Sequence, residues 1–306
     1  MKQFFGIDVG GTEVKWAIMD EDFHFVGERG SIKTDFSSAD EAVDAFASLV
    51  EPYRDQVAAI GMSVPGSIME DDPDGTVHRG GALTYMDQCP LAKIMRERFG
   101  MPVAVNNDGK CAALGEYAAG ALKGTRFGVT IGIGTGIAGG IVIDGKALRG
   151  AHCFAGEFSF LNNNCNQPVA FENIWANTAS WKALRAYIFA EKGQEVDEAV
   201  DGRIFFKWIE DGDKEAQAGL DRYALAFDNW LINLQAVLDP EVFAIGGGIS
   251  CHPELFEALE RQMDTALGGF TGMLAGFPRP VIKRAQLGND ANIYGAVLEA
   301  KRLVEA

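Results

Sequence analysis

The sequence predicts an α/β protein made of two similar lobes, and three observations carry that reading. First, a strand, a glycine turn and a second strand occur twice. Residues 4–15 read FFGIDVGGTEVK and residues 127–136 read FGVTIGIGTG. Phe5-Gly6 aligns with Phe127-Gly128 and Gly10 with Gly132, and the units run on to Asp20 and to Asp144-Gly145. A repeated unit of this kind predicts repeated architecture. Second, strand patterns alternate with helix patterns in both halves, which is the α/β signature. Third, 306 residues are enough for two domains of ordinary size.

Residues 1–35 read as a three-stranded meander. Phe5, Ile7 and Val9 keep strand spacing, and Asp8 interrupts them. A carboxylate inside a core strand is costly without a partner. The Gly10-Gly11-Thr12 turn can gather backbone N–H groups into a concavity that suits phosphate, with Lys15 nearby. Asp8 beside it suits the magnesium that accompanies phosphate. An ordinary hairpin turn is the plainer alternative. Residues 39–51 read as a helix with Ala42, Val43, Phe46, Leu49 and Val50 on one face. Residues 57–64 form a buried strand stopped by Pro65-Gly66. Residues 69–81 read as a polar loop or hairpin around Asp74-Gly75. A helix follows Pro90, with Leu91, Ile94, Met95 and Phe99 on one face, and ends at Gly100. A short strand, 103–105, leads into Asn106-Asn107-Asp108-Gly109, and residues 111–121 read as a helix.

In the second half, residues 150–170 are loop-rich, and residues 173–190 and 215–238 read as helices. The stripe Leu220, Tyr223, Phe227, Trp230, Leu234 and Val237 is core packing. After the break at Asp239-Pro240, residues 242–245 form a buried strand. Gly246-Gly247-Gly248 then turns into a helix starting at Pro253. Val281-Ile282 is a strand, and Asn289-Asp290 caps a terminal helix with Ile293, Val297, Ala300 and Val304 on one face. The lobe boundary falls near residue 120 and the terminal helix returns to the first lobe. The expected division is 1–119 with 290–306, against 120–289.

The net charge of −16 argues against a nucleic-acid-binding face and against an anionic membrane surface. No apolar run approaches the ~20 residues that span a bilayer. The first strand starts at residue 4, so no signal peptide is expected. Five cysteines, an odd number with no C-x-x-C pair, read as reduced thiols of a cytoplasmic protein.

The glycine turns are neither a P-loop nor a dinucleotide fingerprint. No G-x-x-x-x-G-K-[ST] occurs, and a strand rather than a helix follows the glycines. Two phosphate-suited loops would clamp a nucleotide in a cleft between the lobes. Asp108 stands at a strand end before a helix, where open α/β sheets bind ligands. It is read either as a helix N-cap or as a base for a hydroxyl attacking a γ-phosphoryl group. Gly246-Gly247-Gly248 either admits a ribose or adenine or serves close helix–strand packing. Glu157, in Ala155-Gly156-Glu157, is either a surface residue or an acceptor for sugar hydroxyls. His152, Cys153 and Cys165 lack the second cysteine of a chelating pair, which disfavours zinc.

With these motifs in order, the chain resembles the ROK family of sugar kinases over essentially its whole length. The matching stretches begin at Asp8, Ser63, Asn107, Ile133, Ala155 and Ile245: DVGGTEVK, SVPG, NDGKCAALGE, IGTGIAGG, AGE and IGGGI. The resemblance implies the two-lobed actin-like (ribonuclease H-like) fold, ATP as phosphoryl donor and a homodimer. It implies Asp108 as general base, with Asn107, Glu157 and Gly66 at the sugar. It places Gly10, Gly11, Thr12, Gly134, Thr135 and Gly136 around phosphates and Asp8 near Mg²⁺ through water; from the residues themselves, Lys15 is expected to join the phosphates and Gly246, Gly247 and Gly248 the nucleoside. Two departures stand out. Family members usually carry Glu-x-Gly-His, where this chain has Glu157-Phe158-Ser159-Phe160, so Phe160 joins the sugar site. The family's C-x-C-G-x-x-G-C zinc segment is here Asn162-Asn163-Asn164-Cys165-Asn166-Gln167, so no structural zinc is expected. Glu172 is a candidate for the second sugar-binding glutamate. Together with Gly80-Gly81-Ala82-Leu83, these departures resemble the zinc-less branch that includes bacterial β-glucoside kinases. A β-glucoside phosphorylated at O6 is the expected acceptor, with a free hexose or amino sugar as the alternative. The family's sugar-sensing repressors would need a DNA-binding segment ahead of the first strand. A catalytically dead sugar binder would not be expected to retain Asp8, Asp108 and both loops.

Overall fold

The computed structural model describes residues 1–81, 83–272 and 275–305. Ala82, within the Gly80-Gly81-Ala82-Leu83 stretch, lies outside the described residues, as does Ala306 at the end of the expected first lobe. The chain forms two compact units. One comprises Met1–Arg126, Gly140–Gly156 and Leu287–Ala306, the other Phe127–Gly139 and Glu157–Gln286. Residues 140–156, which the sequence reading puts in the second lobe, group with the first unit. Gly140 lets this happen: a Cβ there would lie 2.5 Å from the Gly109 carbonyl oxygen and from the Ala113 side chain.

The first unit is built on the sheet β3-β2-β1-β4-β7. Strands β1 (Gln3–Val9), β2 (Glu13–Asp20) and β3 (Phe25–Lys33) form the antiparallel meander. Strands β4 (Ala59–Val64) and β7 (Val103–Asn107) continue it in parallel with β1. The polar segment after Gly66 closes around Asp74-Gly75 through an antiparallel bridge, in which Ser67 N donates to the His78 carbonyl at 2.7 Å and His78 N to the Ser67 carbonyl at 2.9 Å. Its strand β5 (Thr76–Val77) pairs with β6 (Cys89–Pro90), a non-local partner. Helix α1 (Ala39–Val50) is capped by Ser38, and α2 (Leu91–Phe99) ends at the left-handed Gly100, φ 66°. Both faces of the sheet are covered, so the parallel strands read as continuous apolar runs. Phe5, Ile7, Phe46, Leu91 and Met95 lie in one core; Phe4, Met19, Ile293 and Val297 lie in the other.

The second core depends on the last helix, α9 (Ala291–Glu305), which seats against backbone. A Cβ on Gly61 would lie 2.0 Å from the Ala296 carbonyl oxygen, and one on Gly295 would lie 1.9 Å from the Cys111 carbonyl oxygen. Neither obstacle is a side chain that can swing away. Gly295→Ala is therefore expected to destabilise by the upper part of the ~1–3 kcal/mol typical of overpacking. It should do so although alanine is the better helix former by about 1 kcal/mol. An unchanged denaturant midpoint would contradict this close approach.

The second sheet has the order β10-β9-β8-β11-β12. Its strands are β8 (Phe127–Ile133), β9 (Ile137–Ile143), β10 (Lys146–Ala147), β11 (Val242–Gly246) and β12 (Ile282–Arg284). In both sheets a meander strand, its hairpin partner and the first strand of the repeat are followed by two parallel strands. The repeated glycine-turn units thus head two sheets of one topology. The helices are α4 (Trp175–Thr178), α5 (Trp181–Glu191), α6 (Gly202–Glu210), α7 (Lys214–Leu238) and α8 (Pro253–Ala266). The single helix expected over 173–190 is two, because Ser180 accepts from Ala183 N and starts α5 afresh. Helix α6 was not anticipated; Asp201 caps it by accepting from Arg203 N and Ile204 N. Among the described residues no helix is long and apolar enough to cross a membrane.

Candidate active site

The parallel register of the first sheet brings Asp8, Ser63 and Asn106 side by side near the carboxyl ends of β1, β4 and β7. Asp8 is buried, and its partners are there: Ser63 Oγ donates to Oδ1 at 3.0 Å and Asn292 Nδ2 donates to it at 2.8 Å. Lys15 stands directly opposite on β2. Burial pushes the Asp8 carboxyl above its ordinary range, and the Asp108 charge adds to this. The Asn292 and Ser63 bonds and the Lys15 charge pull the other way. A nearby cation would favour the ionised form that burial disfavours, so this carboxylate fits a magnesium role.

The Gly10–Thr12 turn is held from β3's end, where Thr34 Oγ1 donates to the Gly10 carbonyl at 2.7 Å and Thr34 N to the Thr12 carbonyl at 3.0 Å. Gly10 N donates to the Glu13 carbonyl at 3.0 Å, so its N–H closes the turn rather than facing a ligand. Gly11 and Thr12 are exposed.

Helix α3 (Asp108–Ala119) starts at the end of β7 without a connecting loop. Its N-cap is Asn107, whose side chain accepts from Lys110 N, which corrects the reading of Asp108 as the cap. Asp108 is the first helical residue. Its Oδ1 accepts from Gly109 N and from Asn107 Nδ2, both at 2.8 Å. Asn107 Nδ2 also donates to the Gly66 carbonyl at 2.9 Å. One amide therefore fixes the Asp108 carboxylate relative to Gly66. Gly66 has φ 104°, and a Cβ there would lie 2.9 Å from the His78 carbonyl oxygen. A helix N-terminus favours the ionised form of a carboxyl, the form that can accept a proton from a hydroxyl.

In the second unit, Gly134 N donates to the Gly136 carbonyl at 2.9 Å, and Trp181 N donates to the Gly134 carbonyl at 3.3 Å. Ser159 clamps the turn's exit: its Oγ accepts from Ile137 N at 3.1 Å and donates to the Ile137 carbonyl at 2.8 Å. Ser159 lies in the short 3₁₀ turn Phe158–Phe160, which Glu157 precedes. Glu157, Phe160 and the Gly134-Thr135-Gly136 turn are thus linked through one serine. Phe158 is buried against Trp175, whereas Phe160 is 57% exposed. Of the three glycines after β11, Gly247 (φ 92°) serves close packing, since a Cβ would lie 2.2 Å from the Ile133 carbonyl oxygen. Gly248 would meet nothing within 4 Å and borders open space.

Cys153 is buried, with its Sγ donating to the Ile68 carbonyl at 3.0 Å; Cys165 is exposed. Among the described residues, the side chains grouped closely enough to hold a metal are Glu210, His252 and Glu254, which include neither His152 nor Cys165. Sequence reasoning passed over Lys110 and Glu116, both buried on α3. Glu116 accepts from Ala121 N at 2.7 Å and from Leu287 N at 2.8 Å, closing the end of α3 and the chain's return.

The family model described as "ROK family" matches residues 4–302. The chain belongs to the ROK family. It is 29% identical to a glucokinase of Streptomyces coelicolor, with 95% of each chain covered. It is 27% identical to a beta-glucoside kinase of Klebsiella pneumoniae, covering 97% of this chain and 95% of that one. Among solved structures it resembles a ROK family glucokinase of Streptomyces griseus in complex with glucose and AMPPNP, at 26% identity and a TM-score of 0.77, over 98% of this chain and 99% of that one. This ROK protein is a carbohydrate kinase with the actin-like α/β fold.

Proposed function

We propose that this ROK kinase transfers the γ-phosphoryl group of ATP to O6 of the non-reducing glucose of a β-glucoside. The sugar O6 attacks the γ-phosphorus, Asp108 takes the hydroxyl proton, and ADP leaves with the broken P–O bond's electrons. Asn107, Gly66 and Glu157 contact the sugar. Gly11 and Thr12, with Lys15, Gly134, Thr135 and Gly136, meet the phosphates; Gly10 shapes its turn. Gly246 and Gly248 border the nucleoside, and Gly247 supports them by packing. Mg²⁺, held by Asp8 through water, would supply charge neutralisation at the phosphates. The family resemblance further suggests a cytoplasmic homodimer.

The observation that carries the acceptor assignment is Phe160, an exposed aromatic on the turn that Glu157 begins. It stands where the family resemblance expects histidine. A phenyl ring cannot bond a reducing-end hydroxyl, and an unpaired buried hydroxyl costs roughly 1–3 kcal/mol. A glycosidic oxygen carries no such hydroxyl, and the ring can pack on a second sugar or an aryl aglycone. The likeness to a beta-glucoside kinase supports the same acceptor. The likeness to a glucokinase favours the alternative, a free hexose or amino sugar.

A panel of sugars and β-glucosides, assayed for ADP formation, decides between them. Cellobiose is expected to exceed glucose in kcat/KM by about tenfold, the rate equivalent of 1.4 kcal/mol. Phe160→His should narrow that ratio. Turnover of glucose or N-acetylmannosamine with no β-glucoside turned over would refute the acceptor and leave the kinase standing.

A further inference from the structure

Lys110 is a lysine with 1% exposure, two residues beyond Asp108 on the first turn of α3. An ammonium so deeply buried is costly unless its surroundings are arranged for it. A packing role alone would be met by an apolar side chain. Its Nζ donates to the Cys153 carbonyl at 3.2 Å.

Cys153 sits in a loop with demanding backbone. Its own φ is 58°, and Gly150 (73°) and Gly156 (85°) are also left-handed. For a non-glycine residue that conformation is uncommon and must be held by its neighbours. Further ties moor the same loop. Cys153 Sγ donates to the Ile68 carbonyl, and Arg79 Nη2 donates to the His152 carbonyl at 3.3 Å. The Arg79 guanidinium also lies 5.6 Å from the centre of the Phe154 ring. Ile68 follows shortly after Gly66, and Lys110 shares its helical turn with Asp108. The loop is thus fastened to the segments that present two of the sugar-site residues, and after Gly156 it runs directly into the third, Glu157.

We propose that Lys110 is a positioning residue for the sugar acceptor: through the Cys153 carbonyl it holds the 150–156 loop in the conformation that delivers Glu157. This rests on the sugar-kinase reading above. Lys110 acts on acceptor binding, not on ATP.

The test is Lys110→Met, which keeps length and removes the charge and the donor. With the best acceptor of the panel, KM for the sugar is expected to rise at least about tenfold, while KM for ATP stays within about twofold. Lys110→Arg, which restores donor and charge, should recover most of the lost affinity. A sugar KM unchanged in Lys110→Met would overturn the proposal. So would a sugar KM and ATP KM that rise together, which marks general loosening. Sugar-independent ATP hydrolysis and a cooperative melt report that the variant is folded. Should Lys110→Met fail to fold, Lys110→Arg against Lys110→Gln makes the same comparison. A wild-type protein that consumes no ATP with any sugar would refute the kinase reading itself; active wild type with an indifferent Lys110 refutes only this assignment.

Discussion

Asp108→Asn is expected to lower kcat at least about 100-fold, the low end of what a general base contributes, while the protein remains folded. The amide oxygen of asparagine can accept the same two hydrogen bonds that Oδ1 now accepts from Gly109 N and Asn107 Nδ2. Asn107, not Asp108, is the cap, so helix α3 keeps its first turn. The loss on the stability side is the attraction of one carboxylate to a helix N-terminus, about 0.3–1 kcal/mol. The measurements are steady-state kinetics at saturating Mg-ATP and sugar, with a thermal melt of the same preparation. A variant with near-normal kcat would remove Asp108 from the chemistry.

Stability should fall as pH rises through the neutral range, and one buried carboxyl on α7 should contribute strongly to it. Asp228, on α7, is 0% exposed, and neither carboxyl oxygen has a hydrogen-bond partner among the described residues. Burial first, then the Glu260 charge, pushes its pKa up to about 8, against the opposing charge of Arg279. Below its ordinary value of 3.8 the group is neutral in both folded and unfolded chains and favours neither. As pH rises further, the unfolded chain releases this proton and the folded one keeps it. Each pH unit then costs about 1.4 kcal/mol of stability, until the folded group ionises and the cost levels off. Asp228→Asn removes the ionisation but not the polar group. Its stability relative to wild type should therefore climb with pH over that window, whatever its offset at acid pH. Urea midpoints across the pH range read the slope; parallel curves for the two proteins would sink the prediction.

Much of this architecture was legible because glycine punctuates it. The two glycine turns announced the repeated sheet topology, and the strand end followed by Asn-Asn-Asp-Gly pointed to the candidate site at the carboxyl edge. Local chemistry could not choose the cap, since Asn106, Asn107 and Asp108 are all capable of it. Only the pairing of β7 with β4 shows where the strand stops. Helix α6 carried a readable start in Asp201, but Gly202 as its first residue masked it. The buried charges were the least legible. Lys110, Glu116 and Asp228 lie on helices covered from more than one side, where polar no longer means outward. The available signal was again glycine: Gly115, Gly140 and Gly295 stand where another backbone approaches α3 or α9. A helix flanked by such glycines has little solvent face on which to place a charge.

The seating of α9 on Gly61 and, through its own Gly295, on the surface of α3 has a consequence for synthesis. The ribosome completes β1, β4, β7 and α3 early, yet the helix that covers Phe4, Met19 and Ala59 comes last. Between Arg126 and Leu287 lies the whole of the second unit. At roughly 5–20 residues per second, that stretch takes on the order of 10–30 seconds to translate. Throughout that time an apolar sheet face waits without its natural cover. The nascent first unit is therefore the stage at which this protein should most need a chaperone. Synonymous changes that slow translation after residue 126 should cost yield of native enzyme without altering the protein once it is made.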